Sequence, residues 1–142
     1  MNGVLVDTSV WIAYFRGRPE DRSSSDALDY LLSGCEAVIN DVILTELLPS
    51  MRVRGESEIA TLMCALRRPV MDIDWEDLRN LQETCLRAGI NRIGLPDLMI
   101  AQQAIRFDLP LFSLDKHFEL IATVAPLRSW PRQSNGAMLT AN

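Results

Sequence analysis

Apolar positions along the chain fall into short blocks that alternate between two periods. Val4-Leu5-Val6 is an unbroken apolar run with β-branched residues around a leucine, the pattern of a strand buried on both faces inside a parallel sheet. Ala37 to Asn40, Val70 to Ile73 and Leu109 to Ser113 repeat it, and Ile121 to Leu127 supplies an edge strand. Between these runs the period becomes helical. Val10 to Phe15, Asp26 to Leu32, the stretch holding Ile43, Leu44, Leu47 and Leu48, Glu56 to Arg68, Trp75 to Ala88 and Pro96 to Ile105 are read as helices, with a short one after Asp115. Gly34 and Gly89 stand just past two of them, where glycine closes a helix. Asp41 is placed to cap the helix that carries Glu46, and Pro49 is expected to bend or end it. Strands alternating with helices predict an α/β fold with a parallel sheet and helices on both faces.

Length and composition fit one domain. The chain has 142 residues, 48% of them hydrophobic, enough for a full core. The periodic pattern occupies residues 1–130, and residues 131–142 are expected to form a flexible tail. No apolar run approaches the roughly 18 residues of a membrane span, and the start lacks a signal-like segment, so a cytoplasmic protein without a membrane partner is expected. Cys35, Cys64 and Cys85 form no C-x-x-C pair and are expected to be reduced core thiols. A net charge of -5 argues against a broad basic face for nucleic acid, an objection that weakens if several acids gather around a metal. The basic residues are thirteen arginines and one lysine, and arginine suits bidentate phosphate contacts.

Four acids stand apart because each lies at a strand end or near a helix start among apolar neighbours: Asp7, Glu46, Asp97 and Asp115. In a parallel sheet these places converge on one edge, the edge where such sheets bind ligands. Carboxylates packed there would repel one another, and a hard divalent cation, Mg²⁺ or Mn²⁺, completes such a set. Taken singly, Asp7, Asp97 and Asp115 also suit helix caps or first turns, while Glu46 sits between Leu44 and Leu47, where a solvated charge is unexpected. Asp26, Asp29, Asp72, Asp74, Glu76 and Asp77 read as solvated. His117 reads as a surface histidine. Arg16, Arg18, Arg92 and Lys116 fall in loops near the acidic edge, as candidates for phosphate contact, and Trp11, Phe112 and Phe118 read as core.

Four segments taken in series, Asp7-Thr8-Ser9-Val10-Trp11-Ile12, Leu44-Thr45-Glu46-Leu47-Leu48, Leu95 to Ala101 around Pro96-Asp97, and Phe112-Ser113-Leu114-Asp115-Lys116-His117-Phe118, resemble the PIN-domain ribonucleases, and more narrowly the VapC-type toxins. The resemblance covers about residues 1 to 130. It implies a three-layer α/β/α sandwich around a parallel sheet of about five strands. It also implies that Asp7, Glu46, Asp97 and Asp115 are catalytic, with Mg²⁺ (or Mn²⁺ in its place) held by Asp7 and Asp97 and, directly or through water, by Glu46 and Asp115. Ser9 and Ser113 would support them by hydrogen bonds. The implied activity is hydrolysis of RNA (tRNA, rRNA or mRNA) by a homodimeric toxin that a VapB-type antitoxin blocks. The family often has Thr or Asn where Ser113 stands and a further acid where His117 stands, so the chain departs there.

Other readings fare less well. A dehalogenase-like phosphatase needs a second aspartate where Ser9 stands, and neither G-x-G-x-x-G nor G-x-x-x-x-G-K-[ST] occurs. The remaining alternative is a catalytically inactive PIN-like module that binds RNA or protein.

Overall fold

A computed structural model describes residues 2–131 of the chain. Its centre is β1 (Val4–Val6), every residue of which is buried. β2 (Ala37–Val38) and β3 (Leu111–Phe112) flank β1, both parallel to it, in the order β2-β1-β3. The register sets Val4 against Ala37 and Leu5 against both Val38 and Leu111. Isolated parallel bridges extend the sheet by one position on each side, Val38 to Arg67 and Leu111 to Ser129. Counted this way the sheet is five positions wide, and only the inner three are strands.

The two outer positions correct the sequence reading. The expected strand at Val70–Ile73 does not form: pairing happens earlier, where the Ile39 amide donates to the Arg67 carbonyl at 2.9 Å, and Val70 is 84% exposed. The Val70–Ile73 backbone finds another partner instead. The Gln103 side chain accepts from the Asp72 amide (2.9 Å) and donates to the Asp72 carbonyl (3.0 Å), doing what a neighbouring strand would do. The expected edge strand Ile121–Leu127 is likewise displaced, because Ile121 ends in a helix and the pairing moves to the Trp130 amide on the Leu111 carbonyl (2.9 Å).

Helices cover the sheet. α1 (Thr8–Arg16) buries Val10, Trp11 and Ala13 and closes on Gly17, whose φ of +66° is the left-handed conformation that favours glycine. After a 3₁₀ turn at Pro19–Asp21, α2 (Arg22–Ser33) begins earlier than expected. α3 (Asp41–Val53) is capped by Asn40, whose Oδ1 accepts from the Ile43 amide at 3.0 Å, and not by Asp41, which pairs with Arg68. Pro49 does not end α3. It lies on the exposed side, while Leu47, Leu48 and Met51 stay buried on either side of it, and that packing outweighs the roughly 3 kcal/mol that an interior proline costs.

α4 (Ser57–Ala65), α5 (Trp75–Arg87), α6 (Leu95–Arg106) and α7 (Lys116–Ala122) complete the fold. α1 packs on α2 and α3, α3 also on α4 and α6, and α6 on α5 and α7. The architecture is the expected α/β sandwich. Trp11, Phe112 and Phe118 are buried as expected, and Asp26, Asp29, Asp72, Asp74, Glu76 and Asp77 are exposed. Of the cysteines, Cys85 is buried, but Cys35 and Cys64 are exposed, so they are not core thiols. Residues 132–142, nearly all of the expected tail, lie outside the described residues.

Gly3 sets how β1 enters the sheet. Its φ is +127°, and an added Cβ would lie 2.7 Å from Val38 Cγ2 and 3.0 Å from the Glu36 carbonyl oxygen. We expect Gly3→Ala to cost about 2 kcal/mol through strain and crowding together, lowering the thermal midpoint by about 5 °C. Gly17→Ala meets nothing within 4 Å and bears only the left-handed penalty, so it should cost less. Calorimetry on both variants tests this, and an undiminished midpoint for Gly3→Ala contradicts it.

Candidate functional site

Asp7 is the first residue past β1 and the N-cap of α1, so one residue ends a buried strand and starts a helix. It is 4% exposed. Three donors converge on its Oδ2: the Ser9 amide (3.3 Å), Ser9 Oγ (2.7 Å) and Ser113 Oγ (2.9 Å). Each serine hydroxyl has one proton, and both are spent on Asp7. Their lone pairs accept in turn from the next loop, Ser9 from the Leu114 amide (2.9 Å) and Ser113 from the Asp115 amide (3.0 Å). The turn after β1 and the turn after β3 are thereby tied through one carboxylate oxygen. No donor among the described residues reaches Asp7 Oδ1, which is left for a ligand.

The other three acids come in from three helices. Glu46 projects from the second turn of α3 and accepts from Thr8 Oγ1 at 2.7 Å. Its flanking leucines are buried but Glu46 itself is exposed, so the expectation of a charge sunk among leucines is corrected: it lies on the other side of its helix. Asp97 sits in the first turn of α6 behind Pro96. Asp115 caps α7, accepting from the His117 amide at 2.9 Å. His117 is not a free surface residue. Its Nδ1 lies 3.1 Å from Asp97 Oδ2 and 3.7 Å from Asp115 Oδ1, so the histidine belongs to the acidic group.

The electrostatics show that these groups feel one another. Although Glu46 is exposed as a residue, partial desolvation of its carboxyl end pushes that group up from its ordinary value and outweighs the Thr8 hydrogen bond, and the charges of Asp7 and Asp97 push it the same way. Burial also pushes Asp97 up, against the opposing hydrogen bond from His117, with the charges of Asp115 and Asp7 adding to the rise. Seven arginines make ion pairs among the described residues, all with other acids. None pairs with Asp7, Glu46, Asp97 or Asp115. Among the described residues, Asp97, Asp115 and His117 bring donor atoms within 4.8 Å of one another, and Asp7 and Glu46 lie outside that group but close enough for Asp7 to act on the charge of Glu46 and Asp97. Carboxylates short of positive charge are the donors a hard divalent cation takes, so the residues present fit Mg²⁺ or Mn²⁺.

The candidate phosphate contacts divide. Arg92 lies in the loop before α6 with a left-handed φ of +68°, and Lys116 follows Asp115, so both flank the acids in sequence and are exposed. Arg16 and Arg18 do not lie near the acidic edge as expected. They stand at the far end of α1, eight residues and about 12 Å of helix rise from Thr8, and Arg16 pairs with Asp21 at 3.1 Å. Two site residues were missed in the sequence. Thr8 bonds Glu46 from the position beside Asp7, and Asn40 follows β2 as Asp7 follows β1. Asn40 is 2% exposed, and its Nδ2 is the one buried side-chain polar atom without a partner among the described residues. The signal was present, since Asn40 too is a capping residue after an apolar run.

The family model of the PIN domain matches residues 4–124. Solved structures share the fold. The chain is 19% identical to a FitAcB structure from Neisseria gonorrhoeae, with a TM-score of 0.67, covering 86% of this chain and 94% of that one. A DNA-bound VapBC from Salmonella typhimurium gives 18% identity and a TM-score of 0.68 over 91% and 97% of the two chains. VapBC-1 from nontypeable Haemophilus influenzae gives 19% and 0.63 over 91% and 98%.

The raised carboxyls give stability a definite pH dependence. The metal-free folded chain holds the protons of Glu46 and Asp97 more tightly than the unfolded chain does. Stability from this source is therefore fully present below the ordinary carboxyl values and is lost as pH rises through the raised ones. We expect Glu46→Gln and Asp97→Asn to raise the thermal midpoint of the chain in EDTA at neutral pH and to flatten its decline from acidic pH. Midpoints at or below wild type throughout that range contradict the repulsion.

Proposed function

Because the chain belongs to the PIN-domain family, we propose that it is a metal-dependent endoribonuclease, the VapC-type toxin of a toxin-antitoxin pair. The observation that carries this reading is the gathering of Asp7, Glu46, Asp97 and Asp115 at one edge of the sheet, with no arginine or lysine among the described residues paired to them. Asp7 and Asp97 would hold Mg²⁺ or Mn²⁺, with Glu46 and Asp115 contributing directly or through water. Such a cation lowers the pKa of a coordinated water and offsets the negative charge that builds up on a phosphodiester under attack. The chain's own residues prepare that chemistry. Ser9 and Ser113 fix the Asp7 carboxylate so that Oδ1 is presented, and Thr8 orients Glu46.

Arg92 and Lys116 are placed to meet the phosphates of an RNA (tRNA, rRNA or mRNA) entering that edge, while Arg16 and Arg18 could touch only a longer stretch of it. The structural neighbours are described as VapBC and FitAcB complexes, which supports a VapB-type antitoxin as partner. The reading includes a homodimer working in the cytoplasm, without a membrane partner. Among the described residues no helix is long and apolar enough to cross a membrane.

We expect Asp7→Asn and Asp97→Asn each to reduce Mg²⁺-dependent RNA cleavage roughly a hundredfold or more while circular dichroism stays native, since each removes charge at nearly constant volume. Cleavage at the wild-type rate by either variant removes that residue from the site. For the partner, co-expression with the product of the adjacent gene should yield a stable complex and relieve growth arrest. No complex, together with normal growth when this chain is expressed alone, counts against a toxin.

A further inference from the structure

His117 reads as a surface histidine in the sequence, but its ring lies against two of the site acids. Its Nδ1 is 3.1 Å from Asp97 Oδ2 and 3.7 Å from Asp115 Oδ1, and one donor atom from each of these three residues falls within 4.8 Å of the other two. Ligand bonds of about 2.1 Å place neighbouring donors of an octahedron about 3.0 Å apart and opposite donors about 4.2 Å apart. The two distances from His117, 3.1 Å and 3.7 Å, fall within that range. A proton lies between Nδ1 and Asp97 Oδ2 in the metal-free chain, whichever of the two carries it. The imidazole nitrogen and the carboxylate oxygen thus lie side by side at the separation of two neighbouring ligands of one cation.

The backbone holds the ring there. Asp115 caps α7 by accepting from the His117 amide at 2.9 Å, and Phe118, the next residue, is buried in the core. The ring itself is only half-buried, its side chain 40% exposed, so an ion can reach it from solvent. Lys116, its other neighbour, is exposed and can only repel a cation.

We propose that His117 is a direct ligand of the cation and makes this site favour Mn²⁺ over Mg²⁺. The proposal rests on the reading of the acidic edge as a divalent-metal centre and adds the identity of the ion. The chemistry of the donors decides the direction. Mg²⁺ is small and hard, keeps its waters and prefers oxygen, so an imidazole gains it little. Mn²⁺ stands at the weak end of the first-row series and is mostly bound by oxygen, but as a transition ion it accepts an imidazole nitrogen more readily than Mg²⁺ does.

The chain has a single histidine, so the nitrogen can be assigned without mutation. Tag-free full-length protein, stripped of metal, is loaded with Mn²⁺ and examined by pulsed electron paramagnetic resonance, with and without ¹⁵N-histidine labelling. Separately, Mn²⁺ and Mg²⁺ binding are measured by calorimetry on wild type, His117→Ala and His117→Asp. We expect a directly bonded nitrogen coupling that changes on labelling. We also expect a loss of about tenfold or more in Mn²⁺ affinity but less than about threefold in Mg²⁺ affinity for His117→Ala, in line with the loss of one metal-site group. His117→Asp should bind Mg²⁺ at least as well as wild type and lack the nitrogen signal.

Wild type that binds both ions with no label-sensitive coupling, or equal losses for the two ions in His117→Ala, overturns the proposal and leaves the metal-centre reading standing. Wild type that binds neither ion overturns both. If His117→Ala is unfolded, the labelled wild-type spectrum alone decides.

Discussion

A buried carboxylate needs compensation, and the way Asp7 obtains it organises the site. With 4% of its surface exposed, Asp7 would be costly as a charge without donors, and it collects three on a single oxygen. Two of these donors are serine hydroxyls from different segments, Ser9 in the first turn of α1 and Ser113 in the loop after β3. Each accepts from a backbone amide of the β3–α7 loop, so the network fixes the loop that carries Asp115 as well as the carboxylate. A single polar knot therefore does two jobs: it satisfies a charge that the strand end has buried, and it sets the separation between Asp7 and Asp115. Gathering the donors on Oδ2 leaves Oδ1 open, which is what a ligand atom requires.

The parallel sheet makes such a knot possible. β1 lies between β2 and β3 with the same direction, so the chain leaves all three strands at the same edge and each exit begins a helix. Asp7, Asn40 and Asp115 are the capping residues of those three helices. Their side chains turn back toward the backbone at the edge, and the positive ends of the helices α1, α3 and α7 meet there. Acids are tolerated at this place for a local reason before any ligand is considered. Glu46 and Asp97 are the ones for which that local reason is insufficient. Burial and neighbouring charge push both carboxyls up, which is unfavourable for the folded chain until positive charge arrives.

The parts of this arrangement that were legible in the sequence are those governed by local pattern. The run Val4 to Val6, the caps Asp7 and Asp115 and the helical stretch around Asp97 follow from short-range grammar, and the structure has them as read. The outer strands were not legible, because nothing local tells Val70–Ile73 that Gln103, thirty residues on, will satisfy its backbone in place of a strand. In the sequence Asn40 reads as the last residue of a strand and Asp41 as the cap, and only the helix geometry gives the cap to Asn40. His117 was misjudged for a related reason. A lone histidine beside a lysine looks solvated in one dimension, while its partner Asp97 is twenty positions away and on another helix.

The charge pattern of the whole chain sharpens what the site does. A net charge of -5 could be spread evenly, leaving no part of the surface distinctive. Among the described residues arginines pair with Asp21, Asp41, Glu56, Asp72, Glu76, Glu83 and Asp108, and the acids at the sheet edge keep no such partner. Most of those pairs are exposed and individually worth little, so their effect is less on stability than on the field around the molecule. They compensate seven acids away from the sheet edge and leave the edge acids uncompensated. On the proposed reading, that edge must attract a cation and then accept an RNA phosphate, which the same field would otherwise repel. The two requirements are compatible only if the cation arrives first, so metal loading comes before substrate binding. A basic side chain of an antitoxin would meet the same unneutralised carboxylates as the cation does, and would silence the site by taking the cation's place.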